Sequence, residues 1–469
     1  MVKEFYDRVN ELAGLREMYD NLKVGRLVAI YGRRRVGKTD LVREFMEKIH
    51  GRKLYFYVDL AARSNILDSL SNAIQEQLNE TFKFTDFNQF FAYLKEKSEK
   101  DKFLIAIDEF QRFLDIAPDF ITKLQNMWDS SLKDNKIMFL LIGSSIGMIQ
   151  KITGSRAGAL YGRAAKFKIS PFRYVDFRLM FKNLKEHEKV TAFAVFGGTP
   201  HYLNKFKLCN SNILSAISDL VLKKGGDLVE EPKTLLEIEN VRTHAQYNSI
   251  LQAIASGKDV LKEIQDFTKI PATAIPAYII RLDVLLDLVS RQDPILGKER
   301  SGKYIIRDNF FKFWYKFIFP NQTALNLGNT KLVLDAIKEN LDSYTGKIFE
   351  NVVRELLILY LNKKIKGFDI NFEDIGGWWD RSGNEIDIVA YNEKAKTILA
   401  GEVKWTSSPT DIAVLDDLIR KAQLIGVGGK YNYVLVSKSG FTDRCIKKMK
   451  ELGVLYLDLD DMSALFDAA

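Results

Sequence analysis

The residues Gly32-Arg33-Arg34-Arg35-Val36-Gly37-Lys38-Thr39 carry the strongest chemical signal in this sequence. They fit G-x-x-x-x-G-K-[ST], in which glycines permit a tight loop whose backbone N–H groups converge on phosphate oxygens. Lys38 would place a positive charge at the β- and γ-phosphates, and the Thr39 hydroxyl could ligate magnesium. This loop, together with Asp40 after it, is expected to line a nucleotide site. A second signal, Phe103-Leu104-Ile105-Ala106-Ile107-Asp108-Glu109, is an apolar run that ends in two carboxylates. Such a pair would bring Asp108 to the metal and leave Glu109 to orient the attacking water in phosphoryl transfer. The cofactors expected on these grounds are ATP and Mg2+.

Two weaker elements accompany them. Ser144, in the Gly143-Ser144-Ser145 end of another apolar run, could sense the γ-phosphate or the water, or could sit in an ordinary strand-to-loop turn. Arg163, in Leu160-Tyr161-Gly162-Arg163, follows a stretch of Gly, Ser and Ala and could act as an arginine finger in cis or across a subunit interface. A solvated or structural arginine is the alternative.

A third group lies near the carboxyl end, where Glu385-Ile386-Asp387-Ile388-Val389 is followed by Glu402-Val403-Lys404. Antiparallel pairing of these runs would bring Asp387 to Glu402, with Lys404, two residues on, sharing the face of Glu402. Two carboxylates can hold magnesium, and the lysine can orient or activate a water for attack on a phosphodiester. Lys421 could add a phosphate contact. Trp378 and Trp379 could stack bases, with hydrophobic packing as the plainer use.

Strands and helices must position these groups. The run 27–31 breaks into the glycine loop and then into an amphipathic pattern, which predicts strand, loop and helix. Further apolar runs at 53–58, 103–107 and 137–142, separated by helical stretches, imply a mostly parallel sheet covered on both faces. After Pro171 the pattern turns helical, punctuated by Phe196-Gly197-Gly198-Thr199-Pro200-His201-Tyr202, and a helical lid should end near residue 240. Between residues 247 and 306, three short helical segments precede two extended runs around a polar loop at 297–303, a pattern that predicts a winged helix. Its third helix, 275–283, has one arginine beside an acidic residue, a poor face for reading bases, so internal docking is weighed above DNA contact. The aromatic block 310–319 reads as core. A helix from about residue 343 to 361 should open the last region, succeeded by strands at 385–391, 397–404 and 431–436.

The order Arg8…Glu11-Leu12, YGRRRVGKT, LIAIDEFQ, LIGSS, LYGR, ISPF and GGTPHYL resembles the archaeal-type ATPase family, a branch of the AAA-like and STAND-like P-loop ATPases, over residues 1–205. The resemblance implies that Arg8 and Glu11 lie near the adenine side of the nucleotide. The block from Gly302 to Tyr315 also resembles the segment carboxyl-terminal to the ATPase domain in that family. The D-x(n)-E-x-K pattern of Asp387, Glu402 and Lys404 resembles the PD-(D/E)XK nuclease superfamily, with Glu350 matching an extra acidic position; the proline before the aspartate is absent. That likeness implies Glu350, Asp387 and Glu402 as metal ligands. The expected fold class is α/β: a P-loop NTPase parallel sheet with a helical lid, then a winged helix, then a restriction-endonuclease-like α/β domain. The corresponding segments are 1–205, 206–245, 246–322 and 323–469.

Bulk properties agree with several soluble domains. The chain of 469 residues is too long for one core. Its 46% apolar and 28% charged residues exclude a disordered or fibrous chain. A net charge of +8 favours an anionic partner. Cys209 and Cys445 lack CxxC spacing, and His50, His187, His201 and His244 lack metal spacing, which argues against a disulfide framework or a zinc site. No long uncharged apolar run occurs, so a cytoplasmic location without membrane contact is expected. The expected partners are ATP and DNA, with a protein partner or homo-oligomer as further candidates. The function expected is an ATP-binding and ATP-hydrolysing protein that couples nucleotide state to a metal-dependent nuclease-like domain. The alternative is a STAND-like ATP-driven switch whose inactive nuclease fold serves as a binding module. A metabolic kinase is set aside, since the carboxyl-terminal half would have no task.

Overall fold

The structure, a computed structural model, describes residues 5–6, 8–60, 63–154, 158–209, 211–238, 244–297 and 302–469. The chain forms two compact units. One runs to Pro171 and adds Ile280–Asp287; the other comprises Phe172–Ile279 and Leu288–Ala469.

The first unit is built on β1 (Arg26–Tyr31), β2 (Arg52–Tyr57), β3 (Phe103–Asp108), β4 (Ile137–Gly143) and β5 (Ala164–Lys168). They form one parallel sheet in the order β2-β3-β4-β1-β5. Every residue of β3 and β4 is buried, as a parallel sheet covered on both faces requires. Because side chains alternate along a strand, Ile105 and Ile107 enter one core with Phe90, Phe113 and Phe120, while Leu104 and Ala106 enter the other with Leu15, Val28 and Phe45. The segment Ile280–Asp287 completes this unit. A Cβ on Gly147 would lie 2.3 Å from Leu285, and Lys168 pairs with Asp287 at 2.8 Å.

The second unit begins with the helices Tyr174–Met180, Glu186–Phe196 and Pro200–Cys209. Further on, the helices His244–Ala255 and Leu261–Thr268 and the start of Ile275–Ile280 precede an antiparallel ribbon of β6 (Val289–Gln292) and β7 (Lys303–Ile306). The lid boundary near residue 240 and the loop tip at 298–301 lie outside the described residues. In the aromatic block, Phe310, Phe311, Phe313, Trp314, Tyr315 and Phe317 are buried, and the Trp314 indole donates to Val229 O at 2.8 Å.

The helix expected from residue 343 in fact spans Thr330–Leu359. Asn329 caps it, accepting from Leu332 N at 3.3 Å, and Val333, Ile337, Tyr344, Ile348, Val352 and Leu356 make one continuous buried stripe. After the hairpin β8 (Lys363–Ile365) and β9 (Phe368–Ile370) comes a mixed sheet of β10 (Asp374–Trp379), β11 (Glu385–Asn392), β12 (Thr397–Lys404), β13 (Lys430–Ser437) and β14 (Leu455–Leu457), in chain order. β10, β11 and β12 pair antiparallel, whereas β12, β13 and β14 pair parallel. The fold is therefore mixed α/β, a parallel P-loop-type sheet and then a carboxyl-terminal mixed sheet. No helix among the described residues is long and apolar enough to cross a membrane.

Candidate functional site

In the first unit the register Tyr31↔Gly143 between β1 and β4, and Ile107↔Leu141 between β3 and β4, brings the glycine loop, Asp108 and Ser144 to the carboxyl ends of the strands. Ligands of open α/β sheets bind there. Gly32 passes so close to β5's exit that a Cβ would lie 2.1 Å from Ile169 O, and Gly37 starts the helix Lys38–Lys48 at φ 88°. No L side chain suits either place. Arg35 and Glu109 also hold positive φ, 70° and 55°, strained conformations of the kind that gather at functional sites.

Lys38 Nζ donates to Gly32 O and Arg33 O, each at 2.8 Å, so its ammonium lies over the loop. Val36 O accepts from the buried Arg8 guanidinium at 3.1 Å; Arg8 also donates to Ser170 O and to Glu11. Arg33 is buried, while Arg34, Arg35 and Asp40 are half-buried. Asp108 is buried, and its Oδ2 accepts from the Thr39 hydroxyl and the Tyr55 hydroxyl, both at 2.7 Å. Burial, and then the Asp108 carboxylate, raises the Tyr55 phenol, so it remains a donor.

Ser144 Oγ lies 3.0 Å from both oxygens of Glu109, and Gln111 Nε2 donates to Glu109 Oε2 at 2.5 Å. Ser144 is thus placed to fix Glu109. Gln111 and Tyr55 were not singled out in the sequence. Gln111 lies two positions past Glu109 in LIAIDEFQ and was open to notice; Tyr55 reaches Asp108 only through strand pairing. Arg163 makes a bidentate pair with Asp129, at 2.8 and 2.7 Å. Residues 155–157, in the stretch before it, lie outside the described residues.

In the second unit the pairing Ile388↔Gly401 sets Asp387 beside Glu402. Val403 N donates to Asp387 Oδ2 at 2.9 Å, and Lys404 Nζ donates to Glu402 Oε1 at 2.7 Å. Glu402 Oε2 is buried without a partner. Burial, and next the Asp387 charge, raises the Glu402 carboxyl. Glu350, on the helix Thr330–Leu359, is pushed up to about 7 by burial and by Asp387. Lys347 lies 3.0 Å from Glu350 and Arg354 3.6 Å from it, while Arg354 also donates to Asp387 O at 3.0 Å. Lys421 pairs with Asp417 at 2.8 Å. A cleft of about 360 Å³ is lined by Glu350, Asp387, Glu402, Lys404 and Lys421 among others.

Among the described residues no group of three or more His, Cys, Asp or Glu side chains is placed to hold a metal ion. Lys347 and Arg354 engage Glu350, Lys404 takes one oxygen of Glu402, and the Val403 amide takes one of Asp387. Lys347 and Arg354 were missed, although their spacing of three and four residues from Glu350 puts all three on one helix face.

A phosphate loop at the carboxyl end of a parallel sheet, with a Thr39–Asp108 pair at its base and Glu109 beside it, defines the class of P-loop ATPases. Residues 5–206 match a family of ATPase domains found predominantly in Archaea, and residues 314–414, which contain Glu350, Asp387, Glu402 and Lys404, match a family of archaeal and bacterial proteins of unknown function. The chain is 31% identical over 466 residues to the uncharacterized protein MJECL04 of Methanocaldococcus jannaschii, covering 98% of this chain and all of that one. It belongs to this archaeal ATPase family. A second protein of that organism, the uncharacterized MJ0424, is 34% identical over 55 residues, 12% of this chain and 53% of its own length. Among solved structures, the Walker-type ATPase PABY2304 of Pyrococcus abyssi shares the fold at a TM-score of 0.52, with 21% identity over 67% of this chain and 97% of that one.

Proposed function

We propose that this cytoplasmic chain binds and hydrolyses ATP with Mg2+ and couples its nucleotide state to a metal-dependent nuclease-like domain acting on DNA. In the first unit, the amides of the loop 32–37 and the Lys38 ammonium would hold the phosphates, and Thr39 with Asp108 would hold the cation. Bound Mg2+ would neutralise charge between the β- and γ-phosphates. Glu109, fixed by Ser144 and Gln111, orients the attacking water. A role for Arg163 as an arginine finger requires its pair with Asp129 to open.

The nuclease reading is carried by one observation: a buried Glu402 oxygen without a partner, next to Asp387 on the adjoining strand. Mg2+ is usually held by one or two carboxylates, with water and phosphate completing its shell. Asp387 and Glu402 suit that role, with Glu350 behind them. Bound there, a cation would polarise a phosphodiester, while Lys404 orients the water. The three helices and ribbon before this domain suit a winged helix. Incubation with Mg2+ or Mn2+ and several DNA forms tests the reading. Cleavage that Asp387→Ala removes is expected, and no cleavage of any form would remove the nuclease claim.

A second reading, a STAND-like switch with an inactive nuclease fold used for binding, is favoured by the lysines already paired with Glu350 and Glu402. It predicts an ATPase rate indifferent to DNA. The coupled reading predicts a DNA response that weakens along a salt series, because phosphate contacts impose a salt slope.

A further inference from the structure

A second cleft, of about 540 Å³, opens beside the carboxylates and shares Lys347, Glu350, Glu385 and Asp387 with the smaller one. Ile305 of β7 and Glu263 of the helix Leu261–Thr268 contribute to its lining, as do Trp378 and Trp379 of β10. Lys303 of β7 pairs with Glu385 and lies 4.9 Å over the Trp379 ring, so the ribbon is held against the cleft.

Two groups lack a hydrogen-bond partner, one in this lining and one in the smaller cleft. Lys312, from the helix Asn309–Phe313, is half-buried, and its ammonium has no hydrogen bond or ion pair among the described residues. In the adjoining smaller cleft, Glu402 is 7% exposed and its Oε2 has no partner. A buried charge or polar atom left unmatched is costly, so each calls for a counterpart. A phosphate at Lys312 and a cation at Glu402 would satisfy both, and the half-buried Trp379 indole suits a base, whereas Trp378 belongs to the core. The space is that of a small-ligand site, and a duplex, whose major groove alone is about 12 Å wide, exceeds it.

We propose that this cleft binds an unpaired nucleic-acid strand, with a phosphate at Lys312 and Lys347 and a base against Trp379. The substrate of the neighbouring carboxylates is then a single strand or a frayed end, not an intact duplex. The part concerning cleavage rests on the nuclease reading; the part concerning binding does not.

Fluorescence anisotropy on the full chain, with Ca2+ in place of Mg2+, tests it using labelled single-stranded DNA and RNA and a covalently closed dumbbell duplex. A single strand should bind at least about tenfold more tightly than the dumbbell, since base stacking and backbone charge act together on unpaired strands. Trp379→Ala and Lys312→Met should each weaken single-strand binding about tenfold, and Lys312→Arg should restore it. The stronger of the DNA and RNA arms identifies the sugar. Equal affinity for dumbbell and single strand, or unchanged binding by both variants, overturns the proposal. Tight single-strand binding without hydrolysis in Mg2+ or Mn2+ removes the nuclease reading and leaves the cleft assigned. Hydrolysis of the dumbbell as fast as of the single strand does the reverse.

Discussion

Lys38 spends its ammonium on two carbonyls of its own loop, and a triphosphate must replace those contacts. Lys38→Ala should therefore reduce ATP affinity by at least about tenfold in calorimetry. Glu109→Gln should leave binding intact and lower steady-state hydrolysis on the order of a hundredfold; an unchanged rate would remove Glu109 from the reaction. Glu350 gives a test in pH. Its carboxyl, ordinarily near 4.5, is raised to about 7 by burial and Asp387. The folded protein thus keeps a proton that the unfolded chain has released, and stability falls as pH rises between those values. Measured in chelator, Glu350→Gln should raise the melting temperature more at about pH 8 than at about pH 5. The phosphate loop, the Asp108–Glu109 pair and the Asp387–Glu402 juxtaposition were legible because each lies within one short run or comes from strand pairing. Tyr55 and Lys312 were not, because Tyr55 meets Asp108, 53 residues away in sequence, through pairing of strands that no short turn joins, and Lys312 comes to its cleft through packing across long separations.

At the scale of elements, legibility tracked burial. β3 and β4 are continuous apolar runs, and their positions were readable to within a residue. β5, at the sheet edge, reads Ala-Ala-Lys-Phe-Lys with no buried residue, and gave no pattern to find. β10 hides behind Gly376 and Gly377, where its register with β11 shifts; glycines weaken a strand signal. The front half of the helix Thr330–Leu359 was missed because polar residues dilute its apolar stripe. This helix also reaches another: the Glu355 carboxylate accepts from Tyr174 N at 3.0 Å and Val175 N at 2.8 Å, satisfying the first amides of the helix Tyr174–Met180. Glu355→Ala should lower stability by about 1–2 kcal/mol in denaturant titration, the loss typical of a helix cap. No loss would mean that water replaces the carboxylate.

At the scale of the molecule, the two units have separate cores. ATP with Mg2+ should stabilise the first unit by about 2.7 kcal/mol at a hundredfold excess over Kd, read as a higher transition temperature that Lys38→Ala abolishes. The order in which the chain is made bears on that unit. Domains generally fold in turn as they leave the ribosome, yet here the amino-terminal unit lacks its final piece until Asp287 has been synthesised. A nascent chain that has only reached Pro171 has yet to make the Leu285 that packs at Gly147 and the Asp287 that pairs with Lys168. Its maturation must wait for residues made long after its own last strand, and a fragment ending at Pro171 should be less stable than one to which the 280–287 peptide is joined.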